Sequence, residues 1–249
     1  MNTPIPGTTQ IAQAFAIGAA TATNGQRSSD TASAGMNMLR STLSFVSSVT
    51  GPARTIVDDV RRMRDIAGSL LLLVLMLPLM LVVACLIKLD SRGPVLYRQD
   101  RVGRFGQVFT LLKFRSMRID AEADGPSWAA HRDDRVTRVG KFIRACRIDE
   151  LPQLINVLRD EMSMVGPRPE RPYFIAKLSP VIPDYHERTH VLPGITGLAQ
   201  VSYRYGASIE DARNKHTYDM YYLRNRTMLL DLYIILATVW VVLFRIGAR

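Results

Sequence analysis

The stretch Ile66–Ile87, IAGSLLLLVLMLPLMLVVACLI, decides the fold: twenty-two residues without a charged side chain, with Pro78 near the middle. As one helix it would measure about 33 Å, enough to cross a bilayer core. Its flanks complicate a simple crossing. Arg54, Arg61, Arg62 and Arg64 precede it, and Lys88, Arg92, Arg98, Arg101 and Arg104 follow it. Short basic flanks favour the cytoplasmic side, so both ends ask for the same face of the membrane. A proline inside a helix removes one hydrogen bond and crowds the preceding turn, which makes Leu77–Pro78 a natural place to break. Three readings stay open: a re-entrant hairpin in one leaflet, a straight or kinked span, and a buried core helix. Flanks and proline favour the hairpin; the objection is backbone left unsatisfied at a break inside lipid, with Ser69 too distant to help.

Working back toward the start, residues 51–65 place Ile56, Val57, Val60 and Met63 at helical spacing with arginines between them. This predicts an amphipathic interfacial helix whose arginines meet lipid phosphates. Residues 1–50 are rich in Ser, Thr, Ala, Gly and Asn and carry too few large apolar side chains for a core, which predicts a loosely ordered leader. The apolar patch near the start has no basic residue before Arg27, unlike an export signal.

Forward of the apolar run, alternating residues around Gly93-Pro94, Gly103 and Gly106 predict a small β-hairpin, about 95–99 paired with 107–114. A polar loop follows over 120–134. Next, Arg135, Arg138, Lys141, Arg144 and Arg147 recur every third residue, a cationic stripe on a helix. It runs into Asp149-Glu150, followed by Leu151-Pro152. A plain helix start explains Asp and Pro at such positions. A carboxylate there, beside Arg144 and Arg147, is also biased toward its ionised form and suited to attack phosphorus or hold a metal ion. In MSMVGPRPERPYF, prolines stiffen the backbone around Arg168 and Arg171, a geometry fitted to bidentate phosphate binding. A helix is expected over 175–190. The loop LPGITGLAQV then offers Gly194 and Gly197 for close approach of a ligand. Residues 228–249 read as an apolar or interfacial helix carrying Asp231.

Net charge +10 calls for an anionic partner, and beside an apolar segment that means lipid headgroups or phosphorylated substrates. The rival is a membrane-anchored basic protein that binds nucleic acid or anionic lipid without catalysis. It lacks interleaved aromatic platforms for single strands and leaves Asp149-Glu150 unexplained, so nucleic acid is not expected. The four histidines have no metal-ligand spacing, and zinc is not supported. Cys85 and Cys146 read as reduced thiols.

The ordered set KFRSM, RACRIDELPQLINVL, MVGPRP, LPGITGLAQV and DMYYLRN resembles the bacterial sugar transferase family, the small monotopic phosphoglycosyl transferases, from about Arg61 to Val242. The resemblance implies an α+β, mostly helical fold. It implies a broken re-entrant membrane helix over 66–87, a cytoplasmic catalytic domain over 88–227, and placement at the bacterial inner membrane. It implies transfer of a sugar 1-phosphate from a UDP-sugar to polyprenyl (undecaprenyl) phosphate, releasing UMP, at the start of exopolysaccharide or other surface glycan synthesis. Asp149 would be the nucleophile and form an aspartyl phosphosugar. Glu150 would assist as base or metal ligand, and Asp149 and Glu150 would hold Mg2+. Lys113, Arg144 and Arg168 match family positions associated with phosphates, with Arg147, Arg171, Gly194 and Gly197 as further substrate-binding candidates. Well-known members break at a serine-proline pair where this chain has Leu77-Pro78. Larger members carry extra amino-terminal spans; this chain reads as the minimal form, and a homodimer stays open.

Overall fold

The computed structural model describes residues 56–122, 133–203, 206 and 208–244. The expected leader and most of the polar loop lie outside them. The two expected segments 51–65 and 66–87 form one helical element, α1 (Ile56–Asp90). Helical backbone continues through Leu77 and Pro78, so the sharp interruption anticipated there is absent from the secondary structure. A proline needs only one donor fewer, and the turns on either side remain closed.

What α1 buries is confined to its ends. Arg61, Asp65 and Ser69 are buried at spacings of four, and so are Val83 and Ile87. Between them Leu70, Leu71, Val74, Leu75, Leu77, Leu79, Leu81 and Val82 are exposed. A run of this size facing outward has no soluble-core explanation and marks a membrane-contacting surface. The buried core helix considered from sequence is thereby excluded for this segment.

After α1 the chain makes β1 (Leu96–Val102) and β2 (Val108–Phe114), antiparallel, with Leu96 opposite Phe114 and Val102 opposite Val108. The first strand runs three residues further than the alternation around Gln99 indicated. The connecting turn places Phe105 and Gly106 at positive φ, which glycine accepts without a steric penalty. Arg115, buried just past β2, donates to the Ser91 carbonyl at 2.8 Å and the Ser91 hydroxyl at 2.9 Å. It thus serves orphan acceptors at the end of α1. Helix α2 (Arg138–Ala145) is capped by Thr137, and Asp90 accepts the Val139 amide at 3.1 Å. Val83 and Ile87 pack there with Phe114 and Ile143 in one apolar cluster.

The dyad segment follows as a 3-10 turn, Ile148–Glu150, and a short helix α3 (Gln153–Leu158). Asn156, fully buried, ties α3 to β2. It accepts the Leu112 amide at 3.0 Å and donates to the Thr110 carbonyl at 2.9 Å. Strand β3 (Ser163–Val165) pairs in parallel with β4 (Gly194–Thr196). The expected helix over 175–190 is divided into α4 (Pro172–Leu178) and a 3-10 turn, Tyr185–His190. Pro180 and Pro183 lie between them, and neither can donate to a helical ladder. Three helices complete the chain: α5 (Leu198–Ser202), α6 (Ile209–Arg224) with a Ser208–Asp211 capping box, and α7 (Met228–Leu243). Helix α7 buries Ile234 and Asp231 but exposes Leu229, Leu232, Leu236, Trp240 and Leu243. Among the described residues the fold is therefore mostly helical with two small sheets, and carries one long apolar helix.

Candidate active site

The site is built where β2 meets the turn after α2. Arg147 adopts a left-handed conformation, φ 57°, which reverses the chain as α2 ends and turns Asp149 inward. Asp149 is 8% exposed, yet its carboxylate makes no hydrogen bond or ion pair among the described residues. Glu150 next to it is engaged through one oxygen. Its Oε1 accepts from Arg168 Nη2 at 2.6 Å, and Lys113 Nζ stands 3.5 Å from the same oxygen.

These placements divide the dyad electrostatically. Burial, and then the charge of Glu150, push the Asp149 carboxyl up to about 6. The sequence reading of Asp149 as biased toward ionisation is corrected here: the turn is too short and too buried for a helix terminus to outweigh desolvation. Glu150 moves the other way. Burial opposes its ionisation, but Arg168, Lys113 and Arg147 outweigh it and hold the carboxyl well below the usual range. Burial also lowers Lys113 to about 8, against the pull of Glu150. Arg168 is held protonated, by Glu150 above all. Two adjacent carboxylates with opposite shifts are a common sign of divided chemical roles.

Of the residues expected from sequence, Asp149, Glu150, Lys113 and Arg168 come together. Arg144 and Arg147 add positive potential at Asp149 and Glu150 respectively. Arg171 turns away to a bidentate pair with Glu122, at 2.9 and 3.1 Å. What approaches Gly194 and Gly197 is protein backbone: a Cβ on either would fall 2.1 or 2.2 Å from Gly166 N or O. Their lack of a side chain lets β4 and the following residues lie directly on the strand that leads into Gly166-Pro167-Arg168.

Sequence reasoning missed the supports of that segment. Arg188 donates to the Arg168 carbonyl at 2.9 Å, pairs with Asp219 at 2.8 Å and donates to Tyr185 Oη at 2.8 Å. Arg101 donates to the Pro169 carbonyl at 2.9 Å. Two buried guanidinium groups thus grip the backbone of Arg168 and its neighbour. No local pattern marks them, because the Arg168 and Pro169 carbonyls they hold are twenty or more residues away.

Among the described residues no cluster of three or more His, Cys, Asp or Glu side chains could hold a metal ion. Asp149 and Glu150 are a pair, and Glu150 Oε1 already serves two cations. That donor set fits a hard ion such as Mg2+ in the manner that uses one or two carboxylates together with substrate phosphates.

A family model described as bacterial sugar transferase matches residues 56–245. The "UDP-N-acetylgalactosamine-undecaprenyl-phosphate N-acetylgalactosaminephosphotransferase" of Aeromonas hydrophila is 46% identical over 190 residues, which are 76% of this chain and 45% of that protein. A "UDP-glucose:undecaprenyl-phosphate glucose-1-phosphate transferase" of Caulobacter vibrioides is 43% identical over 192 residues, 76% of this chain and 72% of the relative. The "Exopolysaccharide production protein PSS" of Rhizobium leguminosarum bv. phaseoli is 41% identical over 186 residues and is matched over 93% of its length. The chain therefore spans under half of the Aeromonas protein but most of the other two. With the matched region reaching from the apolar helix through the Asp149 turn to the last helix, the chain belongs to the bacterial sugar transferase family.

Proposed function

We propose that the chain transfers a sugar 1-phosphate from a UDP-sugar to undecaprenyl phosphate and releases UMP, as the membrane step that opens exopolysaccharide or other surface glycan synthesis. The observation that carries this reading is the buried Asp149 carboxylate, unpartnered beside two cations, Lys113 and Arg168, whose own counter-charge is Glu150. With its carboxyl near 6, Asp149 is about nine-tenths ionised at pH 7 and poorly solvated, hence nucleophilic. In the first step an Asp149 oxygen bonds to the sugar-bearing phosphorus while the bond from that phosphorus to the UMP oxygen breaks. Lys113 and Arg168, held beside Asp149 by Glu150, would neutralise the charge that develops on the phosphoryl oxygens and the departing UMP. In the second step an oxygen of the lipid phosphate attacks the same phosphorus and expels Asp149, giving polyprenyl diphosphate sugar. Glu150 stays ionised throughout and keeps Lys113 and Arg168 in register. When bound by Asp149, Glu150 and the donor, Mg2+ would supply further neutralisation of the diphosphate.

The lipid substrate explains the apolar surface. Both ends of α1 bury side chains while its middle is exposed, Pro78 sits in that middle, and basic residues flank both ends. These features support a re-entrant helix, bent at Pro78 without loss of its helical backbone, in the cytoplasmic leaflet of the inner membrane, which would hold Asp149 at the height of a lipid phosphate. The exposed apolar face of α7 supports an interfacial position for that helix.

The test is UMP release from a panel of UDP-sugars with Mg2+, with and without undecaprenyl phosphate. Wild type should release UMP to a stoichiometric level without acceptor and turn over with it. Failure to release UMP from every UDP-sugar would overturn the reading. Cysteine labelling in intact cells near positions 60 and 92 should find both sites cytoplasmic; labelling of one from outside would overturn the hairpin.

A further inference from the structure

The amino-terminal half of α1 buries polar side chains just before its lipid-facing run begins. Asp65 and Ser69 lie one helical turn apart, both buried, and both reach β3. Ser163 Oγ donates to Asp65 Oδ2 at 2.5 Å, and Ser69 Oγ donates to Met164 Sδ at 3.5 Å. A hydroxyl this close to a carboxylate is a strong, charge-assisted bond. The other Asp65 oxygen accepts from Arg64 at 2.8 and 3.1 Å. Arg64 also donates to Asp231 at 2.7 Å, so pairing that arginine does not by itself call for a second buried carboxylate. What Asp65 alone supplies is the tie to Ser163.

From Ser163 the chain runs through β3 directly into Gly166-Pro167-Arg168. Ser163 and Val165 pair with Gly194 and Thr196, the Gly166 amide donates to the Thr196 carbonyl at 2.9 Å, and the Gly194 amide donates to the Pro167 carbonyl at 2.9 Å. Prolines at 167 and 169 leave the backbone around Arg168 little torsional slack. Two strands of three residues are too few to hold themselves in place, so this pair takes its position from what anchors it. Beyond Arg168 the anchors are Arg188 and Arg101, on the Arg168 and Pro169 carbonyls. Before it, the membrane helix holds the strand through Asp65 and Ser69.

We propose that Asp65 is a positioning residue for Arg168: through Ser163 it fixes β3 against α1 and so sets where the Arg168 guanidinium stands beside Asp149. It touches neither substrate. The inference rests on the transferase reading given above and adds to it a residue of the membrane helix that places a phosphate-binding group.

The experiment measures kcat/KM for the UDP-sugar on the full chain in detergent, together with amide hydrogen exchange over residues 163–168 and thermal unfolding. Asp65→Ala and Ser163→Ala should each lower kcat/KM about tenfold, as a small misplacement of a charged group does, and the two together should go no further. Neither should deepen the loss in Arg168→Ala, because both act through Arg168. Asp65→Asn keeps an oxygen for the Ser163 hydroxyl and should recover most of the rate. Exchange over 163–168 should quicken in both alanine variants and stay at the wild-type rate in β2. Ser163→Ala removes the bond while leaving Arg64 its partner, so it carries the test if Asp65→Ala does not fold. Losses that multiply with Arg168→Ala would overturn the proposal, as a role confined to stability predicts them. An asparagine variant as slow as the alanine one, or wild-type kcat/KM in Ser163→Ala, would overturn it too. If wild type releases no UMP from any UDP-sugar, the transferase reading fails. Hydrogen exchange over 163–168 still decides then whether Asp65 holds the Arg168 segment, and exchange unchanged in both variants would show that it does not.

Discussion

Asp231 and Asp149 are both buried carboxylates that stand among arginines, and the chain treats them in opposite ways. Asp231, fully buried on α7, accepts from Arg61 Nε at 3.2 Å, from Arg64 Nη1 at 2.7 Å and from Tyr222 Oη at 2.8 Å. Asp149 has cations near it and no direct partner, because Glu150 takes the close contacts with Lys113 and Arg168. The first arrangement spends its donors on satisfying a charge; the second leaves a charge unsatisfied within a positive field. A satisfied carboxylate fastens α7 to the basic end of α1. An unsatisfied one keeps lone pairs free for an incoming phosphorus, and the neighbour that neutralises the arginines makes this possible without leaving them unpaired.

The largest effect expected from breaking the contrast is at Asp149. Asp149→Asn should lower UMP release by at least about 10^3, since a carboxamide cannot form the phosphoryl ester. Its thermal unfolding temperature should hold or rise, because the mutation removes a desolvated charge that no partner stabilises. A mutant that keeps most of the wild-type rate would remove Asp149 from the chemistry.

Asp231→Ala should do the reverse. Taking one member from a buried ionic cluster strands Arg61 and Arg64 and destabilises by about 3–5 kcal/mol. Thermal unfolding in detergent should register this as a large drop, and residual activity at low temperature should track the folded fraction. If activity vanished while stability stayed unchanged, Asp231 would belong with Asp149 and the contrast would be wrong.

A smaller loss of stability is expected where the two glycines meet Gly166. Gly197→Ala places a methyl 2.2 Å from the Gly166 carbonyl oxygen, backbone that has little room to move. Overpacking of this kind costs about 1–3 kcal/mol. The shift would reach Arg168 through the same strand, so KM for the donor should rise along with the fall in unfolding temperature. Wild-type stability in this variant would show that the approach is looser than it looks.

The contrast also shows what a sequence can and cannot tell. The apolar run, the hairpin and the turn at Asp149-Glu150 are local, and length, alternation and proline placement reveal them. Asp231 looked like an interfacial blemish on an apolar helix because Arg61 lies 170 residues away. The upward shift of Asp149 was hidden for a similar reason: it depends on burial, and β2, which packs against the Asp149 turn, lies some forty residues upstream. Arg171 read as a twin of Arg168 in a stiff segment, yet a single residue in the polar loop, Glu122, diverts it. Gly194 and Gly197 read as a ligand loop, although a parallel strand pair needs the same residue type when another glycine backbone lies against it. Residue type at these positions was informative; the identity of the neighbour was not.

The finest test of the Asp149 environment is the pH dependence of single-turnover UMP release without acceptor, where no lipid phosphate titrates. The Asp149 carboxyl lies near 6 in the free protein, so kcat/KM for the UDP-sugar should rise about tenfold per pH unit below that value and level above it. Lys113, lowered to about 8, loses its charge above that pH, so the profile should fall again on the alkaline side. Stability responds with the opposite sign on the acid limb. A carboxyl raised in the folded state favours its protonated form there, so the Asp149 contribution to stability improves as pH falls through 6 toward the ordinary value of 3.8. Glu150, lowered in the folded state, contributes fully above the ordinary value of 4.5 and loses that contribution progressively as pH falls below it. Lys113→Arg separates the two limbs, since an arginine keeps its charge beyond pH 8: the alkaline fall should move up and the acid limb should stay near 6. An acid limb that moved with Lys113, or sat near 4, would mean that Asp149 is solvated and that its isolation from direct partners has no bearing on its reactivity.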